Sequence, residues 1–474
     1  MNSERLRNTQ IGLEDFSGSL APSPVIEREK SKEPLYKTLS APISSQVEIT
    51  EDCNLSCAHC YNVWHQKPPS EYSTLNKDRL LYVLEELRDS GIFKVTLTGG
   101  EPLLSKDSVI EAVQYLTENN ITCSINTNLT TVSEEDAFRL KEAGVQAILT
   151  SLMSFNEETH DGITQRRGSF QKTVRGIQNV LAANILLVVH MPIARANEEQ
   201  VYQTGKFVAN LGVKAFAATK VSPTPGNPNF SEIGISRRSA QQSLETLFEL
   251  QEQFGLQTDI LECYPLCLIG NAQKFAKFVR RNCSAGVTTT AIGANGEVRP
   301  CIHSDEVSGN LFQEGLEESW ERMNHWRDGS LIPKNCRECQ YLQKCTAGCR
   351  VEAQYFGNIA GMDPYATSEA DVLIPPEEKP VVIPEGFFEE RLEFNPHLKM
   401  RTEDFGGIVD GKSGSYVFLN RDSYELMQRL KKEKMPFSVA QISQDYDVKP
   451  KEALKFFAHL YNNNVVTFYQ NAEG

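Results

Sequence analysis

No uninterrupted apolar run in this 474-residue chain approaches the roughly 18 residues that would suggest a membrane helix. The amino-terminal stretch MNSERLRNTQIGLEDF also lacks the apolar centre of a secretory signal. No membrane association is expected, and a cytoplasmic location is the default. Basic excess is missing too: 48 Lys and Arg stand against 62 Asp and Glu, a net charge of −14. Such a chain repels a phosphate backbone unless a local basic stripe compensates. Its one compact basic run, FAKFVRRNC, reads as a solvated helix end. Nucleic acid is therefore not an expected partner. Internal repeats are absent.

The rest of the composition is that of an ordinary globular chain, 40% hydrophobic and 23% charged. Its length leaves room for two or three domains. Twelve cysteines stand out. A reducing compartment disfavours disulfides, so metal binding or catalysis is the better reading. Their placement supports this. Apart from Cys123 they fall into two zones, Cys53 to Cys60 and Cys263 to Cys349.

Residues 1–44 are polar and proline-containing and read as an amino-terminal extension. Across 45–235, short β-branched runs (QVEIT, KVTLT, TCSIN, QAILTSL, ILLVVHMPI, KAFAATK) alternate with helical stretches, most of them ending at Gly. That alternation predicts a parallel α/β sheet, wound into an open sheet or a complete or partial barrel. Ligands then gather at the carboxyl ends of the strands. Residues 236–282 read as mainly helical, and 283–350 as cysteine-rich and irregular. The Pro- and Glu-rich stretch at 367–390 reads as a linker. Residues 391–474 then form a separate small α+β domain.

The first zone reads CNLSCAHCYN, with Cys53, Cys57 and Cys60 followed by Tyr61. Structural zinc takes four ligands. Only His59 could be the fourth, from inside a tight loop. Three thiolates on a four-iron cluster instead leave one iron open for a substrate or cofactor. This C-x3-C-x2-C pattern just after a first strand resembles the radical S-adenosylmethionine (SAM) enzymes. The resemblance implies a partial (β/α)6 barrel, a [4Fe–4S] cluster on these cysteines and SAM chelated to the fourth iron. One electron then cleaves SAM to a 5′-deoxyadenosyl radical. After the second strand, TLTGGEPLL matches the family's glycine-rich SAM contact: Gly99, Gly100, Glu101 and Pro102. Further SAM contacts implied are Asn126, Ser151 and Arg167, the last in THDGITQRRGSF, where the family's usual R-G is replaced by Thr164 and Gln165.

The second zone contains CRECQYLQKCTAGC, preceded by CSAGVTTTAIGANGEVRPC. Together these resemble the SPASM extension of radical SAM enzymes, across about residues 236–366, which carries auxiliary iron–sulfur clusters. The family pattern implies that Cys267, Cys283, Cys301 and Cys349 hold one cluster. Cys336, Cys339 and Cys345 begin a second. Relatives close the second with a Cys where this chain has Ala366, leaving Asp363 as ligand or one iron open. Cys263 is left as an alternative ligand or a free thiol near the site. Ile302 stands where the sulfatase-maturing branch has an Asp, which disfavours that activity.

Residues 391–474 resemble the PqqD-like recognition element (RRE) that binds leader peptides. Strand addition by an extended peptide suits such a domain, with GSYVFLN and ALKFFAHLY as edge and groove. A DNA-binding winged helix and a structural cap are the bland alternatives. The combined resemblance implies a peptide maturase that binds the leader of a ribosomally made precursor. It would install a thioether or carbon–carbon crosslink, with epimerisation or backbone excision as other outcomes. A reductant such as flavodoxin or ferredoxin is the implied second partner. The alternatives are a quinone-cofactor or protein-maturing enzyme, and an iron–sulfur electron-transfer or peptide-carrier protein without SAM chemistry.

Overall fold

A computed structural model of the chain describes residues 35–223, 230–367, 382–411 and 414–469. Most of the amino-terminal extension and of the expected linker lies outside these ranges. The six expected strands form as β1 (Ser44–Glu48), β2 (Lys94–Thr98), β3 (Thr122–Asn126), β4 (Ala147–Ser151), β5 (Leu186–Ile193) and β6 (Ala215–Lys220). All run parallel in chain order. Helices α1 (Lys77–Asp89), α2 (Lys106–Glu118), α3 (Glu134–Ala143), α4 (Glu157–Thr164), α5 (Ser169–Ala182) and α6 (Val201–Asn210) connect them. Local sequence sets their limits. The Ser133 hydroxyl accepts from Asp136 N in a capping box at the start of α3, and Gly144, at φ 95°, ends that helix. On α5, Phe170, Thr173, Ile177 and Val180 make one buried stripe.

The sheet extends past the expected six strands. β7 (Gln257–Asp259) pairs with β6, and β8 (Thr289–Ile292) returns from far along the chain to run parallel beside β1. β9 (Glu297–Arg299) and β10 (Gly309–Asn310) add antiparallel edges. The sheet stays open, a partial barrel. The expected helical bridge is only partly present: helix Arg237–Phe254 stops at left-handed Gly255, and turns, β7 and the short helix Leu266–Ile269 follow.

The carboxy-terminal domain holds a meander of β12 (Lys399–Glu403), β13 (Gly406–Asp410) and β14 (Val417–Asn420), following β11 (Arg391–Phe394). Helices Arg421–Glu433, Val439–Asp445 and Pro450–Asn462 come next, and β15 (Phe437–Ser438) and β16 (Val466–Phe468) flank β11. Met400, Val409 and Val417 form one cross-strand row and face the domain's own core. The next row, Arg401, Ile408 and Phe418, faces the barrel. There Arg401 donates to the carbonyls of Pro42 and Ala41 at 2.7 Å each and pairs with Glu403 at 2.8 Å. Tyr416 packs edge-on against Phe93 at 5.5 Å. Residues 41–43 and 92–93 precede β1 and β2, so the domain docks at the amino ends of the strands, under the barrel.

Candidate active site

The cysteine loop leaves the carboxyl end of β1. Burial pushes the Cys53 thiol up to about 11 and Cys60 up to about 12, and Cys57 rises by burial and by the charges of both neighbours. Thiols so placed become thiolates only against compensating positive charge, as iron supplies. The loop is held from outside: Ser56 N donates to Thr164 O (3.1 Å) and Ala58 N to Ile163 O (2.9 Å). Asp161 fixes that support by accepting from Gly168 N, Ser169 Oγ and Phe170 N at 2.5–2.9 Å. Burial would raise the Asp161 carboxyl, but these bonds outweigh it and hold it low. Segment 159–170 thus buttresses the cysteine loop. Arg167, expected to reach SAM, is exposed and stands away from the cavity described below.

The GGEP turn serves the same loop. A Cβ on Gly99 (φ 136°) would collide with the Thr50 carbonyl, and one on Gly100 with that of Asp52. Glu101 is 1% exposed. Its carboxylate accepts from Thr127 Oγ1 (2.6 Å), Asn128 N (2.7 Å) and Leu103 N (2.9 Å), tying the β2 end to the β3 end. These bonds fix the turn's backbone at the strand ends. Pro102 is buried at the start of a short 3-10 turn.

A cavity of about 260 Å3 opens where the strands end, lined by Tyr61, Asn126, Ser151, His59, His190 and His303, among others. Asn126 Oδ1, His59 Nδ1 and His190 Nε2 are buried with no hydrogen-bond partner among the described residues. Unmet polar atoms in a cavity that His59 and Tyr61 of the cysteine loop line fit a polar cofactor with hydrogen-bonding groups of its own. Burial and the neighbouring histidines depress His59 to about 4 and His190 to about 3, so both are neutral imidazoles. Tyr61 packs on His303 with ring centres 4.6 Å apart.

Cysteines of the second zone separate differently from the expected grouping. Cys263, Cys283, Cys301 and Cys349 line the same cavity, and the Cys263 thiol is hydrogen-bonded to Cys283 and Cys349. Cys267 turns away from them. Its Sγ accepts from Thr367 N at 3.2 Å, and it lies electrostatically beside Cys336 and Cys345, with Cys339 next to Cys336. Leu266 N meanwhile donates to Cys345 Sγ at 3.4 Å. Two groups of four thiols result. Asp363 is 1% exposed and accepts from Cys349 N and Tyr365 N at 2.8 Å each. Among the described residues, no three His, Cys, Asp or Glu side chains converge tightly enough for a single metal ion. Four thiols in each group match the ligand count of a four-thiolate iron–sulfur cluster.

Two buried ion pairs escaped the sequence reading, because lone charges at strand ends carry no local signal. Glu48, ending β1, meets Arg299 of β9 at 2.5 Å, and burial lifts its carboxyl to about 7. Lys220, ending β6, meets Glu352 of helix Arg350–Tyr355, both fully buried.

Comparison with known proteins accords with this geometry. Residues 47–208 match the radical SAM superfamily, and residues 283–340 match SPASM, an iron–sulfur cluster-binding domain. The chain carries a radical SAM domain followed by a SPASM domain. It is thus a SAM-dependent enzyme, and its cofactors are SAM and iron–sulfur clusters. Relatives of this radical SAM–SPASM chain include an AdoMet-dependent heme synthase of Methanosarcina barkeri, 26% identical over 65% of the chain and 90% of the relative. The mycofactocin maturase MftC of Mycobacterium tuberculosis is 27% identical over 70% of the chain and 84% of its own length. In fold, the chain is similar to Streptococcus suis SuiB bound to precursor peptide SuiA. The TM-score is 0.57 at 18% identity, over 68% of this chain and 75% of that one. No helix of the described residues is long and apolar enough to cross a membrane.

Proposed function

We propose that this enzyme is a peptide maturase, with Cys53, Cys57 and Cys60 holding the radical cluster and two auxiliary clusters on the two four-cysteine sets. Cys263, Cys283, Cys301 and Cys349 hold the inner one; Cys267, Cys336, Cys339 and Cys345 hold the outer one. SAM and the radical cluster together supply a 5′-deoxyadenosyl radical able to take a hydrogen atom from the substrate. The chain's own part is to orient and enclose. Asn126, Ser151, Tyr61 and the GGEP backbone line or flank the SAM side of the cavity, and the inner cysteines close the opposite wall. A crosslinking outcome, thioether or carbon–carbon, is favoured because oxidative ring closure leaves electrons that auxiliary clusters can accept. A small acidic reductant such as flavodoxin or ferredoxin supplies the initiating electron.

The observation that carries the peptide reading is the carboxy-terminal meander followed by three helices, docked on the barrel. Among the described residues β14 pairs only with β13, so its outer edge offers backbone groups to an added strand. This supports residues 391–474 as a leader-binding element, with domain limits near 45–235, 236–366 and 391–474. The relationship to AdoMet-dependent heme synthases supports a second reading, a haem-forming reaction on the same scaffold. The added sheet edge weighs against it.

The test is anaerobic turnover of reconstituted enzyme with a short peptide encoded beside its gene. Peptide mass loss together with 5′-deoxyadenosine is expected. Turnover of a porphyrin substrate with no change in any such peptide would overturn the reading.

A further inference from the structure

A charge network at the carboxyl end of β6 stands outside the roles assigned above. Lys220 has a side chain with no exposure, and its ammonium contacts the Glu352 carboxylate. Its Nζ lies 3.9 Å from Glu262 Oε2 and over the rings of Tyr264 and Tyr365, at 5.3 and 4.6 Å. The Ser222 hydroxyl bridges both acids, donating to Glu352 Oε1 at 2.6 Å and contacting Glu262. Burial alone would discharge Lys220, but Glu352 and Glu262 outweigh it and hold the amine protonated.

The acids sit on the segments that carry the inner thiols. Glu262 immediately precedes Cys263, and Glu352 lies one turn beyond Cys349. Both carboxylates act electrostatically on Cys349. Lys220, Ser222 and Glu262 also line the cavity that the four inner cysteines line. As a structural tie alone, an apolar trio of equal volume would often serve as well, since desolvating charges offsets most of what their attraction returns. A cation kept here, buried on the wall of the cavity that the four inner thiols also line, acts on something whose charge changes.

We infer that the Lys220–Glu352–Glu262 network sets the reduction potential of the inner cluster, an inference that rests on the ligand assignment proposed above. Reduction adds negative charge to a group already made anionic by four thiolates. The ammonium stabilises that added charge and raises the potential, whereas the carboxylates lower it. Potential decides whether the cluster can accept the electron left by substrate oxidation, so the network tunes the redox step without touching substrate.

The experiment is an EPR-monitored redox titration of anaerobically reconstituted full-length enzyme. The inner signal is identified by its loss in Cys301→Ala. Lys220→Met should move the inner potential to more negative values, and Glu352→Gln should move it to more positive ones. Lys220→Arg, which keeps the charge, should stay near wild type. If either neutralising variant folds poorly, Glu262→Gln on the cavity wall must give the positive shift. Shifts of the same sign, or none in variants that retain full iron, overturn the inference and leave the network a structural tie. Absence in the wild type of any signal that depends on Cys301 overturns the ligand assignment, and the inference with it.

Discussion

The inner and outer cysteine sets use the same ligand chemistry in opposite surroundings. Cys263, Cys283, Cys301 and Cys349 share a cavity with Tyr61 and Ser151, within the space where reactants meet. In the outer set Cys339 is exposed, in a stretch that also exposes Lys334, Arg337, Glu338 and Lys344. Burial pushes Cys301 well above the ordinary thiol range, whereas Cys336 is only half-buried and moves less steeply from it. A cluster held in the first setting would face the cavity that Lys220 lines; one held in the second would face solvent. Position, not ligand count, separates their roles.

The largest expected effect separates both sets from the radical site. Replacing Cys53, Cys57 and Cys60 together by Ala should abolish 5′-deoxyadenosine formation while both auxiliary sets keep their iron. Iron analysis after anaerobic reconstitution checks this, and loss of the auxiliary iron would show that the three sites assemble as one. Next comes the pairing itself. Cys263→Ala should disturb the inner cluster's EPR signal and Cys267→Ala the outer one. A silent Cys263→Ala would restore the grouping expected from the family pattern.

A smaller effect lies in stability. Arg401→Ala would strand the Glu403 carboxylate against the barrel base, at a cost of about 3 kcal/mol. Thermal unfolding should register it, with the iron of both sets unchanged; a drop in auxiliary iron would tie the docked domain to cluster assembly. Smallest is Asp363→Ala, which leaves Cys349 N and Tyr365 N without their acceptor. About 1–3 kcal/mol of destabilisation is expected with full iron content. Loss of the outer cluster instead would return Asp363 to the ligand set.

The barrel strands were legible because parallel strands covered on both faces read as continuous β-branched runs. Both cysteine zones were legible for their spacing. Their pairing was not. Cys263 and Cys267 are separated only by Tyr-Pro-Leu, and the short helix Leu266–Ile269 turns the second thiol away from the first. Spacing along the chain carries no information about which way such a turn points. Asp363 drew attention as a carboxylate beside cysteines, and in the structure each of its oxygens accepts a backbone N–H group. The docking of residues 391–474 was invisible because Lys399, Arg401 and Glu403 read as an ordinary charged strand edge until their partner surface is known.

That docked sheet bears on how freely the enzyme's parts can be exchanged. With Val409 and Val417 turned to one side and Ile408 and Phe418 to the other, the meander has no wet face. A domain grafted in its place would bring a solvent-adapted surface to Phe93 and to the carbonyls of Ala41 and Pro42. Each apolar group left uncovered there forfeits about 25 cal/mol per Å2, and the carbonyls lose the fork that Arg401 provides. An exchanged domain should therefore dock only if it carries Lys399, Arg401, Glu403, Ile408 and Phe418 with it, whereas changes along the β14 edge leave that docking face untouched.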